Sequence, residues 1–184
     1  MDMRRYGLTI LQELETVLEQ TDPAAGKLLA EAILGAERIF LAGAGRSGMA
    51  AKAFAMRLMH LGLTAFVCGE TTAPGIGPKD LLVVVSGSGE TASLAAMAKK
   101  ARAQGAQVAL VTVRPESTVG ALASAVLRVP APTPKADSRF RSVQPMGSLF
   151  EQASFLILDA LVLELMDRLG ETGDTMFARH ANLE

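Results

Sequence analysis

The sequence predicts an α/β fold, a doubly wound parallel sheet flanked by helices, and three observations carry that reading. Short β-branched runs alternate with alanine- and leucine-rich helical stretches, the order that builds parallel sheets through βαβ crossovers. The run Leu81-Leu82-Val83-Val84-Val85 is apolar without alternation, as a strand buried on both faces requires. Glycine-rich turns also stand where strands give way to helices, at Gly43-Ala44-Gly45-Arg46-Ser47-Gly48 and Ser86-Gly87-Ser88-Gly89-Glu90-Thr91. Open α/β sheets bind their ligands at such junctions.

Taken in order, residues 3–19 place Ile10, Leu11, Leu14, Val17 and Leu18 at helical spacing, with Glu13, Glu15 and Glu19 mostly on other faces. This is an amphipathic helix. Asp22-Pro23 is an N-cap followed by a first-turn proline and opens a second helix that runs to about Leu34, before Gly35. Residues 38–42 form the first strand, and the first glycine-rich turn leads to a helix over 49–61, stopped by Gly62. A second strand at 64–67 is followed by a Pro/Gly loop over 71–79. The central strand then runs into the second glycine-rich turn and a helix over 91–104, ended by Gly105. A fourth strand at 107–112, a short helix at 117–123 and a fifth strand at 125–129 complete the sheet. The most economical strand order is 2-1-3-4-5, the flavodoxin-like arrangement, which puts both glycine-rich turns at the topological switch point. Residues 130–147 carry prolines at 130, 132, 134 and 145 and read as a long loop over the site. A strongly apolar helix over 149–169 and a short tail follow.

A chain of 184 residues predicts one domain: a helical extension over about 1–35, a sheet core over 36–130, and a covering loop with C-terminal helices over 131–184. A formal net charge of -1 gives no footprint for nucleic acid or an acidic membrane surface, so an anionic ligand would be held locally. One cysteine, Cys68, leaves no internal disulfide and suits a reducing compartment. With no signal-like start and no apolar run long enough to span a bilayer, the expected location is cytoplasmic. A hydrophobic content of 49% and a mean hydropathy of +0.29 predict apolar surface buried between subunits.

The second turn is suited to phosphate. A helix N-terminus leaves backbone N–H groups without partners and favours negative charge. Ser86, Ser88 and Thr91 add hydroxyls there, while Gly87 and Gly89 let the backbone approach a ligand. Glu90 is expected to face outward or to pair with a base, since inward it would repel phosphate. The first turn matches the dinucleotide fingerprint G-x-G-x-x-G, with Glu70 at a plausible distance for a ribose-binding acid. Two such loops in one small domain fit a single sugar phosphate better, with Arg46 and Ser47 contributed by the first.

Ser148 and Glu151 have the spacing of a capping box, in which Glu151 bonds back to the backbone. Nothing local makes Glu151 catalytic. His60, at a helix end, is expected to complement the helix dipole. His180 stands in a polar tail, where only a folded-back terminus or a partner subunit gives it a role. Cys68 has neither a neighbouring histidine nor a C-x-x-C partner, which disfavours a nucleophilic or metal role.

The two turns, together with Gln144-Pro145-Met146-Gly147-Ser148-Leu149-Phe150-Glu151-Gln152 and the ending Arg179-His180-Ala181-Asn182-Leu183-Glu184, resemble the sugar isomerase (SIS) domain family. The resemblance is strongest to its 6-phospho-3-hexuloisomerase branch and spans nearly the whole chain. It implies interconversion of D-arabino-hex-3-ulose 6-phosphate and D-fructose 6-phosphate, after a 3-hexulose-6-phosphate synthase that condenses formaldehyde with ribulose 5-phosphate. It also implies a homotetramer and no obligatory cofactor. Carried over by position, Ser47 and residues 86–91 bind substrate and Glu151 is the proton acceptor. Arg46 and His180, the latter from a neighbouring subunit, are candidates to steady the oxygen charge or carry the hydroxyl proton. Another SIS isomerase and a non-catalytic sugar-phosphate sensor are the alternatives.

Overall fold

The computed structural model describes residues 2–132 and 141–183. Helices α1 (Met3–Glu19) and α2 (Pro23–Leu34) precede the sheet. Each is opened by an aspartate: Asp2 Oδ1 accepts from the Arg5 N–H and Asp22 Oδ1 from the Ala24 N–H, both at 2.9 Å. There follow β1 (Arg38–Gly43), α3 (Gly45–His60), β2 (Ala65–Val67), β3 (Asp80–Val85), α4 (Ala92–Ala103), β4 (Gln107–Thr112), β5 (Ala125–Arg128), α5 (Ser148–Leu169) and α6 (Gly173–Phe177). The five strands pair in parallel in the order β2-β1-β3-β4-β5, as the sequence predicts. Gly43 and Val85 are register partners. Both glycine-rich turns therefore leave adjacent strands side by side, at their carboxyl ends.

Every residue of β3 is buried. Successive side chains go to opposite faces, so Leu81, Val83 and Val85 join one core with Phe54, Leu58 and Leu158. Leu82 and Val84 join the other, with Phe40, Leu94, Ala98 and Leu110. The first core is the thicker: α3 and α5 pack against each other, and α1 and α2 pack on α5. α5 buries side chains around much of its circumference, among them Leu149, Phe150, Ala153, Ile157 and Leu161.

Four expectations need correction. The helix after the first turn begins at Gly45 rather than 49, because Gly45 takes φ 56° and turns the chain directly from strand into helix. Arg46 and Ser47 thus stand in its first turn. The short helix expected at 117–123 is a single 3-10 turn, Gly120–Leu122, since Ala123 is already extended toward β5. Ser148 is the first residue of α5, and Gly147 is its N-cap. Glu13 is buried at 6% exposure, not on an outer face, because donors from a distant segment surround its carboxylate. Of the expected covering loop, residues 133–140 lie outside the described residues.

Candidate functional site

Three helices open around the carboxyl end of the sheet without a side-chain cap: α3 after Ala44, α4 after Thr91 and α5 after Gly147. The other three, α1, α2 and α6, are capped by Asp2, Asp22 and Thr172. Uncapped first-turn N–H groups are donors awaiting a partner, and each helix end carries partial positive charge. Two contacts gather these ends. Arg46 Nε, from α3, lies 2.5 Å from Glu151 Oε2, from α5. Gly87, ahead of α4, faces the Phe150 ring so closely that a Cβ there would stand 3.1 Å from it.

In the first turn, strand and helix meet backbone to backbone. A Cβ on Gly43 would lie 2.9 Å from Gly48 Cα, and one on Gly48 would lie 2.7 Å from the Gly43 carbonyl oxygen. This close packing is what the glycine pattern supplies, with or without a dinucleotide. Glu70 does not join the turn. It pairs at 2.9 Å with Lys52, in the body of α3, so the ribose-binding role has no geometric support. Ser47 is half-buried, while the Arg46 side chain is 57% exposed.

The second turn is held open by its own hydroxyls. Ser86 Oγ, buried under the turn, accepts from the Gly89 N–H, and Ser88 Oγ accepts from the Glu90 N–H, both at 3.2 Å. As an acceptor, each oxygen keeps its O–H free to donate. Ser88 is exposed and Thr91 half-buried, so these two hydroxyls can reach a phosphate while Ser86 shapes the turn from below. Glu90 turns aside. Its carboxylate accepts from the Thr118 N–H at 2.8 Å and from the Thr118 hydroxyl at 2.7 Å. Those bonds, with Arg114 nearby, hold its pKa below the usual carboxylate range. The outward orientation is as expected, but its partner is a threonine rather than a base.

The residues that support this turn were not legible in the sequence. The Gly87 carbonyl accepts from Thr112 Oγ1 and the Val113 N–H, both at 3.2 Å. Gly89, at φ 63°, lies against Ser117 with no room for a side chain. All of these come from the end of β4 and the loop after it. The one available signal was the strand order itself, which makes the loops after β3 and β4 neighbours.

Glu151 makes no capping box. Its side chain, 21% exposed, reaches across to Arg46 instead of back to the N-cap backbone. The reason is local: with Gly147 as N-cap, Ser148 has moved inside the helix and no longer stands where a cap would. His180 is elsewhere. It stacks on His60 at 5.4 Å and on Phe177 at 5.9 Å between ring centroids, at the carboxyl end of α3. Arg46 stands in the first turn of the same 16-residue helix, about 20 Å away at 1.5 Å per residue. Within one chain, then, His180 does not join Glu151. His60 is 3% exposed, and burial, then Arg57 and His180, push its pKa down. It stands in the last turn of α3, as expected, and stacks there on His180. Burial pushes the Cys68 thiol up, away from reactivity.

The SIS domain family model matches residues 32–156. The chain is 44% identical to a 3-hexulose-6-phosphate isomerase of Bacillus subtilis (strain 168), over all of both chains. It is 41% identical to a 3-hexulose-6-phosphate isomerase of Mycobacterium gastri, over 95% of this chain and 88% of the relative. A solved Methanococcus jannaschii protein, whose crystal structure was used to infer a 3-hexulose-6-phosphate isomerase function, superposes with a TM-score of 0.86. It is 30% identical and is matched over 98% of this chain and 99% of its own. The chain belongs to the SIS domain family and, within it, to the 3-hexulose-6-phosphate isomerases.

Proposed function

We propose that this chain interconverts D-arabino-hex-3-ulose 6-phosphate and D-fructose 6-phosphate, with Glu151 as the proton carrier. The observation that carries this reading is the Glu151 carboxylate, held 2.5 Å from Arg46 beside three helix N-termini that lack side-chain caps. The N-termini, with Ser47, Ser88 and Thr91, suit the phosphate. The carboxylate suits the carbon chemistry. Moving the carbonyl from C3 to C2 takes the proton from C2, forms an enediol or enediolate, and returns a proton to C3. The hydroxyl proton passes from O2 to O3, so the step is internally balanced. One carboxylate can serve both carbons, and a positioned base contributes about 10² to 10⁴ in rate. Arg46 orients that carboxylate and offers positive charge to the oxygen on which charge develops.

The reading extends to a cytoplasmic homotetramer acting after the synthase that condenses formaldehyde with ribulose 5-phosphate. Leu11, Leu18, Met59, Leu156 and Leu163 leave 40–63% of their surface exposed, which supports burial between subunits. Among the described residues no helix is long and apolar enough to cross a membrane. In the assembled protein His180 reaches the site from a neighbouring chain.

The test is exchange of solvent deuterium into C3 of fructose 6-phosphate, followed by NMR for the wild type and Glu151→Gln. Wild-type exchange that falls at least 10²-fold in the variant, with sugar-phosphate binding retained, is the expected result. Undiminished exchange in the variant would remove Glu151 from the chemistry, and binding without any wild-type turnover would favour a sensor.

A further inference from the structure

Glu13 is a buried carboxylate that the chemistry above does not use. It belongs to α1, outside the sheet, and faces residues 142–144. Its Oε2 accepts from Ser142 Oγ at 2.7 Å and Gln144 Nε2 at 3.0 Å, and its Oε1 accepts from the Val143 N–H at 2.7 Å. Ser142 Oγ in turn accepts from the Gln144 N–H at 3.0 Å. An apolar side chain would suit a helix packing face at lower cost, since burying a charge is unfavourable unless donors surround it. Here they do, and all come from the segment leading into α5.

That segment is short and fully engaged. The Pro145 carbonyl accepts from the Ser148 N–H at 3.2 Å, and the Gly147 carbonyl accepts from the Glu151 N–H at 3.0 Å. Between the clamp and the helix, Met146 takes φ 54°, the one positive φ outside glycine among the described residues. Its side chain is 80% exposed and offers no packing to offset the strain. Such a conformation persists where its surroundings over-determine it. The surroundings here are the Glu13 clamp on one side and the first turn of α5 on the other.

We propose that Glu13 is a positioning residue for proton transfer: by fixing residues 142–144 it sets where α5 begins, and so where Glu151 stands relative to Arg46 and the serine turn. This rests on Glu151 being the proton carrier. The phosphate turn touches α5 only through Gly87 and Phe150 among the contacts described above, and is hydrogen-bonded and packed from the side of Thr112, Val113 and Ser117, so Glu13 acts chiefly on turnover.

The test is steady-state kinetics of Glu13→Gln, which keeps the size of the side chain but aims an amide N–H₂ at donors. A displacement of order 1 Å at a base costs about 10²-fold in rate. The expected result is a 10- to 100-fold fall in kcat per folded enzyme, with the folded fraction measured by circular dichroism and KM for fructose 6-phosphate within twofold. Unchanged kcat, or loss only in proportion to unfolded protein, overturns the proposal. Should Glu13→Gln not fold, Ser142→Ala and Gln144→Leu remove donors while leaving α1 intact. A lowered kcat at constant KM in both upholds the proposal, and wild-type kcat in both overturns it. Glu151→Gln, measured in parallel, separates the two ideas. Full turnover there removes the base reading and this proposal with it, whereas abolished turnover alongside a wild-type Glu13→Gln removes this proposal alone.

Discussion

Gly87 shows how much a single missing side chain decides. Its carbonyl is bonded by Thr112 and Val113, and its Cα faces the ring of Phe150, itself 4% exposed. The phosphate turn and the helix that bears Glu151 are therefore in direct contact, one residue before the carboxylate. An added methyl at Gly87 has to move the ring by a few tenths of an ångström, and overpacking of this kind costs about 1 to 3 kcal/mol. Gly87→Ala is expected to lower kcat by roughly tenfold or more, as Glu151 shifts, with a modest fall in Tm. Phe150→Leu on the Gly87→Ala background should restore part of the rate. Kinetics of the single and double variants check this, and a Gly87→Ala enzyme with wild-type kcat would show that the contact is not transmitted.

At the scale of the elements, the amino ends of β1 and β3 are tied by Arg38 and Asp80. Arg38 Nε donates to Asp80 Oδ1 at 2.9 Å and Nη2 to Oδ2 at 2.7 Å. The Gly77 N–H adds a bond at 2.6 Å, and the Gly75 carbonyl accepts from Arg38 at 3.1 Å. The pair thus pins the 75–79 loop to the end of the sheet opposite the site. Burial pushes the Asp80 carboxyl up, but Arg38 and the Gly77 N–H pull it down further, so its pKa lies below the ordinary 3.8. A carboxyl depressed on folding adds stability that is complete above its unfolded pKa and lost as pH falls through its folded one. Wild-type Tm should therefore drop on acidification below about pH 4. Asp80→Asn should flatten that drop while costing about 2 kcal/mol at neutral pH, less than a fully buried pair because Arg38 reaches solvent. Thermal melts of both proteins from pH 7 to pH 3 check this. Activity near neutral pH should persist in the variant, since the ion pair stands away from the turns.

For the whole molecule, the separation of Glu151 from His180 along α3 is the decisive fact. If a working site takes Glu151 from one chain and His180 from another, two inactive variants complement each other. Co-expressed Glu151→Gln and His180→Ala subunits should form mixed assemblies that recover activity neither variant has alone. Assays of the purified mixed assembly check this. No recovery, with mixed assemblies demonstrated by mass, would confine His180 to its stack on His60 and Phe177.

The sequence by itself determined the sheet. Five strands, their order and the two glycine turns at the switch point were legible, because strand burial, helix periodicity and glycine backbone freedom are local properties that the chain states residue by residue. Gly43 and Gly48 were legible for the same reason. The tertiary structure alone decided what stands around those turns. Glu151 had the spacing of a helix cap, and only the packing of α5 on α3 sends it to Arg46. Glu13 had the pattern of a solvent-facing helix residue, and only residues 142–144 explain its burial. Thr112, Ser117 and Thr118 support the phosphate turn from a strand away, and His180 stands by His60 although 119 residues separate Arg179 from its His60 partner. Each of these depends on contacts between residues remote in sequence, which periodicity and spacing do not encode.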